Sequence, residues 1–174
     1  RHGRWRTAAE VAEAWAVAPE QAVRLWFLAG EVDRAVALAR RSDCWSAALV
    51  MLTARDLNEA RLFRATWAAH AAASGDYAAA VSLVEPLGLD ALLDQWLERA
   101  LEQGEGGPLL ALALSRWPER FEAMRDQVLA QLRDETSAGA PARLRLTEAL
   151  IARAEGSVAA RRLHYLLLHA RPPR

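Results

Sequence analysis

The hydrophobic and polar positions of the chain follow the period of an α-helix over most of its length. The clearest example is residues 89–103, whose apolar side chains fall on one face: Leu89, Leu92, Leu93, Trp96, Leu97, Ala100 and Leu101. No segment alternates apolar and polar residues with the period of a β-strand. We therefore predict an all-α fold of about ten helices, arranged as stacked antiparallel helical hairpins in an irregular α-solenoid.

The predicted helices are joined by short connections and form one helical-repeat domain over residues 7–170. They cover residues 7–16, 19–29, 31–41, 44–54, 57–73, 76–85, 89–103, 109–115, 118–132, 141–154 and 157–169. Glycine-rich or polar segments at 104–108 and 134–141 are the two hinge candidates. Residues 1–6 are predicted to form a loose basic arm, and residues 171–174 a tail.

One helix start and one long helix carry more specific signals. Thr7 and Glu10 have the spacing of a capping box, in which each side chain bonds the backbone amide of the other residue. The helix over residues 57–73 has two apolar stripes, which predicts burial on two sides. The first stripe contains Ala60, Phe63, Trp67 and His70 or Ala71, and the second contains Leu62, Thr66, Ala69 and Ala73.

A short motif occurs twice, 45 residues apart, as GEVDRAVAL from Gly30 and as GDYAAAVSL from Gly75. The matched pairs are Gly30 with Gly75, Glu31 with Asp76, Val32 with Tyr77, Ala35 with Ala80, Val36 with Val81, and Leu38 with Leu83. Glycine can end a helix in the left-handed conformation. The acidic residue after it can cap the next helix. The motif therefore indicates consecutive helical hairpins.

The motif resembles the start of the second helix of tetratricopeptide-type repeats, G-D-Y-x-x-A-[IV]. It is also similar to the looser α-solenoid repeats of clathrin and vesicle-coat proteins. The resemblance covers two short windows, and their spacing differs from the tetratricopeptide period of about 34 residues. It implies an irregular solenoid. The alternative is ordinary helix-start chemistry, because acidic residues also begin segments at Asp43 and Asp56.

Composition narrows the range of functions. The 174 residues contain 22 basic side chains, all of them arginine, and 22 acidic ones, so the net charge is zero. A nucleic-acid-binding domain normally has a basic excess, and we therefore expect no nucleic-acid partner. The single cysteine, Cys44, is expected to be a buried apolar residue. No apolar run reaches the length of a membrane span, and arginine-only usage suggests a GC-rich genome, so we expect a bacterial, cytoplasmic protein without a membrane partner.

The sequence contains no recognisable catalytic or metal-binding motif. His164 and His169 would point about 140° apart on one helix, which is unsuitable for a shared metal. His70 is expected to be half-buried and hydrogen-bonded. We therefore predict no metal site, no cofactor and no enzymatic activity.

Most tryptophans are expected to pack between helices, whereas those at helix ends can expose aromatic binding surface. Trp45 and Trp117 lie at predicted helix ends and Trp5 lies in the predicted arm, and all three could present such surface.

One helix has an acidic face, on which the carboxylates repeat every four residues: Asp90, Asp94, Glu98 and Glu102. Like charges at this spacing repel weakly. The face is therefore either a solvated surface or a ridge that docks a basic partner segment. Arginines that could form basic spots, or salt bridges between helices, are Arg61, Arg64, Arg116, Arg120 and Arg125.

The functional hypothesis follows from the predicted fold. Stacked hairpins bury a continuous core and leave a groove that can bind a peptide or a helix. We expect a non-catalytic module that binds another protein, or another domain of its own longer chain, with Arg24, Arg61 and Arg64 as polar contacts. Exposed repeat ends would also allow self-association. The alternative is a helical accessory domain of a larger enzyme or signalling protein, which fits a chain that begins at Arg1 instead of methionine.

Overall fold

The computed structural model describes residues 2–15, 18–104, 108–133 and 146–149. Among these residues there are nine α-helices, two 3-10 helices, a further helical stretch at 146–149 and no β-strand. The α-helices are α1 His2–Trp15, α2 Pro19–Ala29, α3 Val32–Arg41, α4 Trp45–Arg55, α5 Leu57–Ala73, α6 Tyr77–Val84, α7 Asp90–Glu102, α8 Pro108–Arg116 and α9 Phe121–Arg133. The 3-10 helices are Glu85–Leu87 and Pro118–Arg120. The all-α prediction is confirmed.

The contacts between residues divide the chain into two compact units. The first contains Arg1–Gly75 and Ser82–Leu89, and the second contains Asp76–Val81 and the described part of Asp90–Arg174. From α1 to α5 each helix contacts the next in sequence, and α2 also contacts α4. In the second unit α7 contacts α8. These contacts are compatible with stacked hairpins, while the solenoid arrangement itself stays a prediction.

Trp26 lies at the centre of the core of the first unit. Its side chain has no exposed surface, and Val23, one helical turn before it, is also fully buried. The neighbouring helices present alanines that are fully buried too: Ala9, Ala35, Ala39 and Ala48. Small side chains leave the volume that a large indole ring needs, so the alanine-rich composition and the tryptophan complement each other in a close-packed interior.

A carboxylate of α1 connects three helices around this tryptophan. The indole Nε1–H of Trp26 on α2 donates to Glu13 Oε2 at 2.9 Å. Two arginines of α3 donate to the same carboxylate, Arg34 to Oε2 at 3.2 Å and Arg41 to Oε1 at 2.9 Å. The Arg34 guanidinium also lies 3.9 Å from the centroid of the Trp26 ring. One side chain therefore fixes α1 against both α2 and α3.

The pKa of Glu13 reflects this network. Partial burial acts first and would raise the pKa, but the hydrogen bonds from Trp26 and Arg41 and the charge of Arg34 together lower it below the ordinary value of 4.5. Glu13 is therefore ionised whenever the fold is intact near neutral pH. The two arginines compensate its negative charge beside the core.

Both glycines of the repeated motif end a helix in the left-handed conformation, with φ of 84° at Gly30 and 86° at Gly75. After α2, the Gly30 N–H donates to Phe27 O and the Glu31 N–H donates to Trp26 O, both at 3.0 Å. This pair of bonds is the Schellman arrangement, which satisfies carbonyls that a helix end leaves free. The predicted role of the two glycines is confirmed.

The acidic residues after these glycines behave differently from each other. Asp76 Oδ1 accepts the Ala79 N–H at 2.9 Å, as a helix cap does. Glu31 makes no side-chain cap and instead forms an ion pair with Arg6 of α1. The predicted cap at Glu31 is therefore wrong. Glutamate is not a preferred cap residue, and its longer side chain reaches an arginine on the neighbouring helix.

The start of the chain also differs from the prediction. Residues 2–6 belong to α1, which begins at His2, so the predicted loose arm is wrong over these residues, and the predicted capping box at Thr7 is wrong as well. The Thr7 hydroxyl, inside the helix, donates to Gly3 O at 3.2 Å, a bond that threonine commonly makes within helices. The ion pair from Arg6 to Glu31, the residue before α3, gives the start of α1 a tertiary contact.

The long helix α5 is buried on one side only. Ala60, Phe63 and Ala71 of its first stripe are at most 7% exposed. Leu62 of the second stripe is 71% exposed, and Thr66, Ala69 and Ala73 are exposed as well. The prediction of burial on two sides is therefore wrong. The four residues share a face by their spacing, but no described helix covers that face.

Cys44 is buried, with 7% of its surface exposed, as the sequence predicts. Its thiol donates to Ser42 O at 3.3 Å. Burial, and then the negative charges of Glu20 and Asp43, raise the pKa of the thiol above its ordinary range. A protonated, enclosed thiol of this kind is an unreactive packing residue.

Several predictions lie outside the described residues. They concern most of the hinge at 104–108, the hinge at 134–141, the helix at 157–169, the tail at 171–174, and His164 and His169. Of the helix predicted over 141–154, residues 146–149 are described and are helical, and Leu146 is buried.

We predict that Glu13→Gln lowers the free energy of unfolding by about 1 kcal/mol at neutral pH, because three donors lose a charged acceptor. Since folding lowers the pKa of Glu13, this stabilisation is present above the unfolded value near 4.5 and is lost as the pH falls through the folded value. Urea unfolding of wild type and variant should therefore show a difference that narrows between about pH 7 and about pH 3.

The matched control is Glu10→Gln, which changes an exposed carboxylate of the same helix. We expect this variant to unfold like the wild type. A stability difference for Glu13→Gln that keeps the same size at both pH values would contradict the prediction.

Candidate interaction surfaces

The acidic face of α7, formed by Asp90, Asp94, Glu98 and Glu102, is met by arginines of the same unit. Arg116 Nε donates to Asp94 Oδ1 at 2.6 Å, and its Nη1 donates to Asp90 Oδ1 at 3.1 Å. Arg120 Nη1 donates to Glu98 Oε1 at 2.9 Å. The inter-helix salt bridges considered for these two arginines are thus present in the structure.

The fourth carboxylate of the acidic face, Glu102, pairs with Arg99 on the same helix at 3.1 Å. The hydrogen bond from Arg116 to Asp94 is the main reason that the pKa of Arg116 is raised. All four carboxylates therefore have an arginine partner within the chain. A basic segment would gain less from these neutralised carboxylates than from unpaired ones, which disfavours the docking-ridge hypothesis.

A second surface, which we call the arginine cleft, lies among α4, α5 and the 3-10 helix after α6. Its volume is about 160 Å³. Its lining residues are Leu49, Thr53, Leu57, Ala60, Arg61, Arg64, Pro86 and Leu87. The structure thus brings together two of the three arginines that were predicted to contact a partner. The third, Arg24, is exposed on α2 and does not line the cleft.

The two cleft arginines differ from Arg34, Arg41, Arg116 and Arg120, which donate to carboxylates of the chain. Arg61 Nη2 donates to the backbone carbonyl of Leu87 at 3.3 Å, which is a neutral acceptor. Arg64 is half-buried. Neither Arg61 nor Arg64 forms an ion pair with any residue that the structure describes. Leu57, at the edge of the same cleft, is 67% exposed. The cleft therefore combines uncompensated positive charge with accessible apolar surface.

A third surface, which we call the α1 groove, runs along α1 and reaches the start of α2. Its volume is about 810 Å³. Its lining residues are Gly3, Arg4, Thr7, Ala8, Val11, Ala12, Trp15, Ala18 and Gln21. Trp15 is 74% exposed and Val11 is 46% exposed. Exposed apolar side chains that are contiguous, and not scattered singly, are typical of interaction surfaces.

Trp15 is not among the residues that the sequence predicts to contact a partner. The signal was available, because Ala8, Val11 and Trp15 are spaced three and four residues apart and therefore lie on one helical face. The helix predicted over residues 7–16 contains Ala8, Val11 and Trp15, but Arg4, which also lines the groove, lies in the predicted arm. Trp5, which was considered as an exposed residue, is 42% exposed.

Trp45 is part of an aromatic cluster inside the first unit. Its ring is parallel to Trp67 at a centroid distance of 6.2 Å, and it contacts Phe63 at 5.4 Å and His70 at 5.2 Å. Trp45 is only 3% exposed, so it is a core residue and not binding surface. His70 is exposed, which contradicts the expected half-buried position, because it lies at the edge of the cluster.

Metal sites and membrane-spanning helices are absent from the part of the chain that the structure describes. No group of three or more histidine, cysteine or acidic side chains there is arranged to hold a metal ion. None of the helices described there is both long enough and apolar enough to cross a membrane. Comparison with protein-family models, curated proteins and solved structures found no match.

We predict that Asp94→Asn lowers the free energy of unfolding by about 0.5–1 kcal/mol, because Arg116, only 24% exposed, loses its nearest charged partner. Urea unfolding followed by tryptophan fluorescence measures the change. The control is Glu102→Gln, whose partner Arg99 is exposed and on the same helix. We expect no measurable effect of the control, and equal losses in both variants would contradict the prediction.

Proposed function

We propose that the chain is a non-catalytic helical-repeat module of the bacterial cytoplasm that binds an acidic and apolar segment of another protein in the arginine cleft. The observation that supports this proposal is the pair Arg61 and Arg64, which have no ion pair among the described residues and line an apolar cleft. In contrast, the acidic face of α7 has its charge compensated by arginines of the chain itself.

The chemistry of the cleft specifies the charge of the partner. Arginine presents a planar fork of donors that matches a carboxylate, and such charge-assisted bonds are roughly twice as strong as neutral ones. Arg61 at present donates to the neutral carbonyl of Leu87. Exchange of this acceptor for a carboxylate is favourable, because the guanidinium then gains a partner of opposite charge. A partner segment should therefore carry an aspartate or glutamate.

The apolar lining specifies the rest of the partner segment. Leu49, Leu57 and Leu87 surround a volume of about 160 Å³, which is on the scale of one aliphatic side chain. Burial of an aliphatic side chain contributes about 1.5–3 kcal/mol when it is complete. We therefore expect a leucine, isoleucine or methionine close to the acidic residue. The same chemistry would apply to a segment from another domain of the chain's own longer protein.

The experiment is a capture of proteins from a bacterial lysate on immobilised full chain. Three baits are compared: wild type, the double variant Arg61→Glu/Arg64→Glu, and the control Arg24→Glu. We expect a protein that wild type and the control retain and that the double variant loses, because a carboxylate would meet two reversed charges. The captured protein is identified by mass spectrometry, and its bound segment is mapped with synthetic peptides.

Capture at two salt concentrations distinguishes this binding from non-specific electrostatic attraction. A contact with a half-buried arginine and an apolar side chain should persist between about 0.15 M and about 0.5 M salt, where exposed charge pairs are strongly screened. Capture that does not distinguish the double variant from the control would contradict the proposal. Capture of nucleic acid alone, lost at the higher salt concentration, would contradict it as well.

A further inference from the structure

The outward face of α1 has the spacing of a coiled-coil seam. Arg4, Ala8, Val11 and Trp15 follow one another at intervals of four, three and four residues, the pattern that holds side chains along one line of a helix. We call these four residues the α1 seam. All four line the α1 groove, and they are accessible, since Trp15 and Val11 are 74% and 46% exposed.

Two α1 seams that run antiparallel place complementary side chains opposite each other. If a second α1 lies antiparallel, Arg4 meets Trp15 of the second copy and Ala8 meets Val11 of the second copy. By symmetry, Val11 meets Ala8 of the second copy and Trp15 meets Arg4 of the second copy. The seam therefore consists of four layers, each a pair of facing side chains. We propose that the protein forms a two-fold symmetric dimer in which the α1 seams of two copies pack antiparallel against each other.

Each layer of this arrangement has a physical reason to form. A guanidinium over an indole face is a favourable cation–π pair, and tryptophan is the best partner for it. A valine against an alanine places a larger side chain in the space left by a smaller one. The groove beside the seam, lined by Ala12 and Ala18 towards α2, has about 810 Å³ to accept the tryptophan ring.

The charges decide between the two possible orientations. In a parallel pair, Arg4 would meet Arg4 of the second copy, and two like charges would be brought together. In the antiparallel pair each Arg4 meets an aromatic face, and the two arginines lie at opposite ends of the seam. The Arg4–Trp15 pair also argues for a second copy as the occupant, because the seam carries both the cation and the aromatic ring of a cation–π contact.

The size of the seam sets the strength of the dimer. Two tryptophans bury about 300–500 Å² between them, and the four layers together stay near the lower limit for stable interfaces. We therefore expect a dissociation constant on the order of 10 μM. The α1 seam shares no residue with the arginine cleft, so the dimer does not depend on the proposed function.

The experiment is sedimentation velocity of the full chain over a range from about 1 μM to about 300 μM, a span around the expected constant. The variants are Trp15→Ala and Arg4→Glu, with Leu62→Ala as the control. Leu62 is 71% exposed on α5 and lies outside the seam. Since the substituted side chains are exposed, all variants should fold, and circular dichroism verifies this.

We expect wild type and Leu62→Ala to show the same monomer–dimer equilibrium. Trp15→Ala should raise the dissociation constant at least tenfold, because the dimer loses two anchors. Arg4→Glu should raise it several-fold, because two cation–π pairs become repulsive. An unchanged constant for Arg4→Glu would indicate a parallel pair and overturn the proposed geometry. Wild type that stays monomeric throughout, or an equal loss in Leu62→Ala, would overturn the dimer itself.

Discussion

The burial of the Trp26 indole determines how the first three helices fit together. An indole N–H that is removed from water needs an acceptor, since a buried donor without one costs about 1–3 kcal/mol. Glu13 supplies the acceptor from α1, but a carboxylate next to the core needs compensation in turn. Arg34 and Arg41 of α3 provide it. The need of the Trp26 indole N–H for a hydrogen-bond acceptor therefore fixes the relative positions of α1, α2 and α3.

Trp45 shows the other way in which a tryptophan can be buried. Its Nε1 is enclosed and has no hydrogen-bond partner among the residues that the structure describes, so this ring lacks the compensation that Trp26 has. The Trp45 ring instead packs on other rings, with Trp67 stacked on one side and Phe63 and His70 tilted against it. The two tryptophans show how several tryptophans can occur in an alanine-rich chain: each ring needs a pocket of small or flat neighbours.

The structure shows which features the sequence could predict and which it could not. Local signals predicted α7 to within one residue at each end, because its apolar period and the preceding glycine are both properties of neighbouring residues. The partners of its acidic face could not be predicted, since Arg116 lies 22 residues after Asp94, at the end of the next helix. The same reason explains the error at Glu31: a local cap and a distant arginine compete, and only packing decides between them.

Zero net charge has a further consequence for recognition. With equal numbers of arginines and acids, the protein has little long-range attraction for any charged partner, so specificity depends on where individual charges remain uncompensated. Arg34, Arg41, Arg116 and Arg120 are held by carboxylates within the fold. The arginines of the cleft lie beside exposed apolar surface instead. Such a site attracts a charged partner only weakly at a distance. It distinguishes partners once they are in contact, because the apolar burial and the charge pair must form together.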